Sequence, residues 1–226
     1  MDFLSTKGIE YLLVIGYLFL LVPFAWILRR LIVAPSGAAV PATALPPNTL
    51  RHGIPRGIHL HRGHSWAALE GGDLLRVGID DFARRLIGCP TEVSLPSPRQ
   101  HLEQGEKGWQ VRVDGQTVDL LSPVQGEVVE VNDEVVRSPQ LLCEDPYERG
   151  WLLKVRVANA TTALKNLLPQ RLAGAWMDEV YEDLGTFMGG ELGPVLQDGG
   201  LPVPGFAAQL SGDRWPEVAK RFFLTD

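Results

Sequence analysis

The 226-residue chain is long enough for one or two domains with a real core, and 45% of it is hydrophobic against 21% charged. Its formal charge of -6, with no basic cluster, excludes nucleic acid as a partner, because phosphate binding needs a concentrated positive surface. Two cysteines, Cys89 and Cys143, are too few for a disulfide framework and lack the company zinc requires, so they read as small apolar fillers.

Tyr11 to Leu28, YLLVIGYLFLLVPFAWIL, carries no charge. At ~1.5 Å per residue a helix of this length reaches about 27 Å, close to the hydrocarbon thickness of a bilayer. Pro23 is a tolerated bend, and Tyr11 and Trp26 suit the interfaces. A cleaved signal peptide is the competing reading, but a signal has its positive charge in front of the apolar run, and here Arg29 and Arg30 follow it. Residues 1–33 therefore read as a single transmembrane anchor in the inner (cytoplasmic) membrane. Arg29, Arg30, Arg51 and Arg56 outweigh Lys7, Asp2 and Glu10, which puts the N-terminus outside and the body in the cytoplasm.

Residues 34–57, rich in Ala, Pro and Gly without apolar period, read as a semi-extended linker. From Ile58 to Val157 the pattern becomes short alternating runs broken by Gly and Pro. Asp80 to Leu86 reads as a short helix. Trp109–Val113 and Gln116–Leu120 flank Asp114-Gly115, a strong two-residue hairpin signal. Gly126–Val131 and Trp151–Val157 read as further strands. This is a β-rich sandwich or flattened barrel.

Residues 158–226 read as a helical extension. Leu164, Leu167, Leu168, Leu172, Trp176, Val180, Leu184 and Phe187 recur at three- and four-residue spacing, with Asp178, Glu179, Glu182 and Asp183 largely opposite. Pro169 either kinks this helix or starts a second one. Gly189-Gly190 ends it, and Asp213 is a plausible N-cap for a final helix with the stripe Trp215, Val218, Ala219, Phe222 and Phe223.

In series, His64-Ser65-Trp66, Val77-Gly78-Ile79-Asp80-Asp81-Phe82-Ala83, Leu95-Pro96, Ser122-Pro123-Val124-Gln125-Gly126-Glu127-Val128-Val129-Glu130-Val131-Asn132, Ser138-Pro139, Glu144-Asp145-Pro146-Tyr147 and Gly150-Trp151-Leu152 resemble the glycine cleavage system H protein over residues 58–157. The resemblance implies a lipoyl-domain-like sandwich (a barrel-sandwich hybrid) and a lysine at a hairpin tip that carries lipoate. Counting back from Ser122-Pro123, that lysine falls at about Gly115, beside Asp114. No lysine lies between residues 108 and 153, so the lipoyl position is degenerate and no cofactor is expected.

His59, His61 and His64 form the best metal-like cluster, since alternating strand histidines share a face, but surface or turn histidines are the favoured reading and no metal is expected. Glu144 and Asp145 read as a turn and cap pair rather than as acid and base. Asn159-Ala160-Thr161 matches a glycosylation sequon, without meaning in a cytoplasmic body. For the helical extension, packing on the β domain is weighed against docking to a partner. Docking would use Trp176, Met177, Tyr181, Trp215, Phe222 and Phe223 as anchors.

The expected function is a non-catalytic accessory or structural subunit of a membrane complex, by analogy a respiratory or other electron-transfer oxidoreductase, bracing integral membrane and cytoplasmic subunits. The alternatives are an unconventionally modified carrier in lipoate-dependent metabolism and a membrane-tethered adaptor.

Overall fold

A computed structural model describes residues 53–187 and 215–225. The expected anchor, the linker up to residue 52, Gly189-Gly190 and Asp213 lie outside the described residues. Among those described, no helix is long and apolar enough to cross a membrane.

Alternation becomes strand where the sequence pattern predicts it. In β6 (Lys107–Val113) Trp109, Val111 and Val113 are buried, while Lys107 and Arg112 face solvent. Its partner β7 (Gln116–Leu121) buries Val118, Leu120 and Leu121. Asp114 and Gly115 connect them at φ 48° and 82°, the left-handed pair that a two-residue primed turn demands, and Val113 pairs with Gln116. With β4 (Glu92–Ser94) these make a three-stranded sheet in the order β4-β6-β7.

The larger sheet combines β1 (Ile58–Leu60), β2 (Ser65–Gly71), β3 (Leu74–Ile79), β5 (His101–Leu102), β8 (Gly126–Val131), β9 (Leu153–Arg156) and β10 (Leu168–Pro169), in the order β10-β1-β2-β3-β9-β8-β5. Every pairing in both sheets is antiparallel. Trp66, Leu60, Leu75, Ile79, Leu120 and Leu153 are among the fully buried side chains, each contributing ~1.5–3 kcal/mol by leaving water. Trp66 crosses β3 at Gly78, where a Cβ would stand 2.7 Å from the indole, so only glycine fits. Its Nε1 donates to the Pro146 carbonyl at 3.2 Å.

Helix α1 (Asp81–Ile87) starts where Asp80 caps it, with Oδ1 accepting from the Ala83 amide at 2.8 Å, and it buries Phe82, Ala83, Leu86 and Ile87. Short helices α2 (Asp133–Arg137) and α3 (Leu141–Glu144) follow β8. The two cysteines are not fillers: Cys89, just beyond α1, and Cys143, on α3, form a disulfide across 54 residues. Sequence spacing carries no sign of it because only the sandwich brings α1 and α3 together.

Residues 158–187 are less uniformly helical than their periodicity suggests. After α4 (Ala160–Lys165), Leu168 and Pro169 form an edge strand, with Leu168 opposite Leu60 and Pro169 opposite His59. Pro169 sits in this edge strand, which tolerates its missing amide hydrogen, and the second of the two expected outcomes holds: a second helix starts directly after it, at Gln170. Helix α5 (Gln170–Phe187) buries Ala173, Met177 and Leu184, whereas Leu172, expected on the apolar stripe, is 52% exposed. Its first residue reaches back to the end of the expected linker: Gln170 Nε2 donates to the Ile54 carbonyl at 2.7 Å, and Ile54 is buried in the core. The last helix, α6, runs Trp215–Val218 and continues in wider turns through Ala219–Phe223.

Candidate functional site

Two places merit attention. The first is the β6–β7 hairpin apex. Asp114, Gly115, Gln116 and Thr117 are exposed, so the apex is presented to solvent as an attachment point would be, but it offers no amine. The nearest lysine on this hairpin, Lys107, sits at the opposite end of β6 and pairs with Asp119 at 2.8 Å. Below the apex, Ser122 is fully buried and donates its hydroxyl to the Val124 carbonyl at 2.7 Å, which locks the Ser-Pro turn.

The second is the turn between β1 and β2. His61 N donates to the Ser65 carbonyl at 2.8 Å, and His64 N to the His61 carbonyl at 3.0 Å, closing a tight loop. His64 takes φ 61°, a left-handed conformation unusual for a side chain of its size. It is 1% exposed, not a surface histidine. Asp80 Oδ2 accepts from His64 Nδ1 at 2.8 Å, which holds the ring in place. The imidazole lies between Phe82 (4.2 Å, 27°) and Trp176 (4.9 Å, 26°).

Above this ring opens a cleft of about 360 Å³, lined by Arg62, His64, Trp176, Asp183, Arg221 and Phe222 among others. The Arg221 guanidinium pairs with Asp183, one bond being 2.7 Å, and holds the Asp183 carboxyl below the usual carboxylate range. Burial pushes the Tyr181 phenol up, with Asp81 and Asp80 adding to it. The cleft has an imidazole, an aromatic wall and balanced charge, but no hydroxyl or thiol nucleophile lines it. It is suited to binding rather than covalent chemistry.

The three histidines do not converge. His59 Nδ1 donates to the Gly57 carbonyl at 3.2 Å, His61 Nδ1 accepts from the Gly63 amide at 3.1 Å, and His64 holds Asp80. Among the described residues no group of three or more His, Cys, Asp or Glu side chains is placed to hold a metal. Asp145 acts in a turn, accepting from the Glu148 and Arg149 amides, while Glu144 is exposed.

The expected partner anchors turn inward. Met177, Phe222 and Phe223 are 2%, 4% and 0% exposed, and Trp176 and Tyr181 pack on His64 and Phe82. They fill the groove over α1 because the apolar face of α5 needs cover and the β domain supplies it. Trp215 opens α6, and its side chain lies outside those described. Sequence reasoning missed the His64–Asp80 pair; a histidine in a turn followed, 16 residues later, by the cap of the next helix was the available signal.

The family described as glycine cleavage H-protein matches residues 58–179. A glycine cleavage system H protein of Carboxydothermus hydrogenoformans is 36% identical over 117 residues, covering 52% of this chain and 89% of that protein. One from Mycobacterium avium is 41% identical over 107 residues, covering 47% and 81%. A solved H protein from Mycobacterium marinum aligns with a TM-score of 0.46 at 30% identity, over 51% of this chain and 92% of that one.

Proposed function

The chain belongs to the glycine cleavage H-protein family, and on that premise we propose that it is a lipoate-free, membrane-anchored accessory subunit, its β domain bracing the other subunits of a membrane complex. H proteins are lipoyl carriers rather than enzymes, and this chain is not an enzyme. The observation that carries the proposal is the exposed Asp114-Gly115 apex: lipoylation needs a primary amine on such a turn, and residues 108–153 contain none. What remains is a frame: Trp66 on Gly78, Trp66 to Pro146, and Ser122 to Val124. A frame kept without its reactive amine is suited to a structural role. The apolar, uncharged run from Tyr11 to Leu28 supports the anchor, and an electron-transfer oxidoreductase is the proposed assembly by analogy with other single-helix, cofactor-free subunits. Gentle detergent extraction, native electrophoresis and intact mass test this. A stoichiometric assembly with multi-helix subunits and an unmodified mass is the expected result; a lipoyl-sized increment, or a monomer, overturns it.

A second reading concerns the side of the membrane. The excess of arginine after the apolar run favours a cytoplasmic body. The Cys89–Cys143 disulfide favours an oxidising compartment, because cytosolic thiols are kept reduced. Protease added to spheroplasts decides: a protected body upholds the first orientation, and a digested one the second.

A further inference from the structure

We propose that the Cys89–Cys143 bridge is an exchange site for small thiols: a thiolate attacks the Cys89 sulfur, Cys143 leaves, and the pair closes again when the adduct is displaced. The folded chain sets the direction of attack. Cys89 is exposed, in the connector between α1 and β4. Cys143 is half-buried on α3, beside Leu141 and Leu142, which belong to the core. Thiol exchange depends on which sulfur an external thiolate can reach, and exposed bridges are the labile class. Access that makes Cys89 the target makes Cys143 the leaving group.

The two half-cystines are also held in place without the bond. Gly88 N donates to the Arg84 carbonyl at 2.9 Å and Thr91 N to the Arg112 carbonyl at 2.8 Å, which pins the connector on both sides of Cys89. On the other side, Cys143 N donates to the Gln140 carbonyl at 2.9 Å. The Cys143 carbonyl accepts from Arg84 Nη1 at 3.1 Å, a direct link from α1 to α3. A second link joins the same regions, from the Asp81 amide to the Tyr147 hydroxyl at 3.1 Å. These contacts keep the two Cα atoms, 5.6 Å apart in the bridged state, close when the sulfurs part. A bridge reachable from solvent and set among independent contacts can open and reclose with the sheets intact.

Each step balances. A small thiolate bonds to the Cys89 sulfur as the Cys89–Cys143 bond breaks, giving a mixed disulfide at Cys89 and a thiolate at Cys143, with no net redox change. The Cys143 thiolate can then attack Cys89 and expel the small thiolate, which restores the bridge. Alternatively a second small thiolate attacks the adduct and leaves as a small-molecule disulfide; the two small thiols are oxidised and the protein pair is reduced. The chain has no third cysteine, so neither sulfur has another internal partner. The inference stands on either side of the membrane: the closed bridge is the resting form in an oxidising compartment, and the dithiol in a reducing one.

Reduced glutathione, added to the detergent-purified full chain in native buffer, tests it. Samples quenched, alkylated and mapped by mass spectrometry are expected to carry glutathione on Cys89 and the alkyl label on Cys143, with the far-ultraviolet circular dichroism unchanged. Opening should run within about ten-fold of its rate in concentrated urea, whereas a bridge reached only through global unfolding would open at least about a thousandfold slower, following the ratio of folded to unfolded chains. Treated with oxidised glutathione, Cys143→Ser should hold a lasting adduct on Cys89, because the resolving thiolate is gone. The rate comparison uses the unsubstituted chain, so poor folding of the variant does not mask the answer. A bridge that opens only as the protein unfolds overturns the proposal, and so does an adduct confined to Cys143.

Discussion

Asp80 serves two elements at once: Oδ1 caps α1 through the Ala83 amide, and Oδ2, 2.8 Å from Nδ1, holds the His64 ring under Trp176. One fully buried carboxylate thus ties the β1–β2 turn to the helix that follows β3. Removing it should cost both functions.

Asp80→Ala is expected to destabilise the fold by about 2–4 kcal/mol, combining a lost cap with a buried imidazole left without its acceptor. Asp80→Asn keeps a capping oxygen and should cost less. Urea unfolding of both variants and of the His64→Ala double mutants checks this; if the two effects simply add, the pair is not coupled.

Reducing the disulfide should lower stability without dismantling the sheets. The loop closed by Cys89 and Cys143 spans 54 residues, and freeing such a loop costs about 4 kcal/mol on the chain-entropy account. Cys89→Ser/Cys143→Ser should match reduced wild type in denaturation midpoint. Equal midpoints for oxidised and reduced protein would count against the bridge.

An amine restored at the apex should restore chemistry. Gly115→Lys puts a primary amine on the exposed turn, at a cost of about 1 kcal/mol because Gly115 has φ 82°. Incubated with a lipoyl ligase, the variant should gain a lipoyl-sized mass and the wild type should not. Modification of wild type, or at Lys107, would remove the basis for a lipoate-free role.

The His61 pKa is lowered from 6.5, first by burial and then by the neighbouring His64. The unfolded chain then binds the proton more readily than the folded one. The sign follows: the stabilisation from a neutral His61 is complete above its unfolded value, near pH 6.5, and is lost as pH falls through its lower folded value. Stability should therefore decline below about pH 6.5, and His61→Gln should flatten that decline. Denaturation midpoints measured from pH 5 to 8 read it directly; an unchanged slope in the variant would show that another group is responsible.

What the sequence by itself determined is local. Asp114-Gly115 specifies a primed turn because both positions must take positive φ, and the alternation in Trp109–Val113 specifies which face of β6 is buried. The motif run from Ser122 to Leu152 is likewise readable residue by residue and carries the family, and the absence of lysine from 108 to 153 is read off directly. Tertiary structure decided what depends on residues far apart in the chain. Leu168 falls in a helical period but forms a strand with Pro169, because the β1 edge offered hydrogen bonds that periodicity does not register. Met177, Phe222 and Phe223 became core because the groove over α1 was open to them. Cys89 met Cys143, and His64 met Asp80, only once the sheets had folded. Spacing along a chain records the period of an element, while contact between elements depends on how their faces pack, and that is settled only in three dimensions.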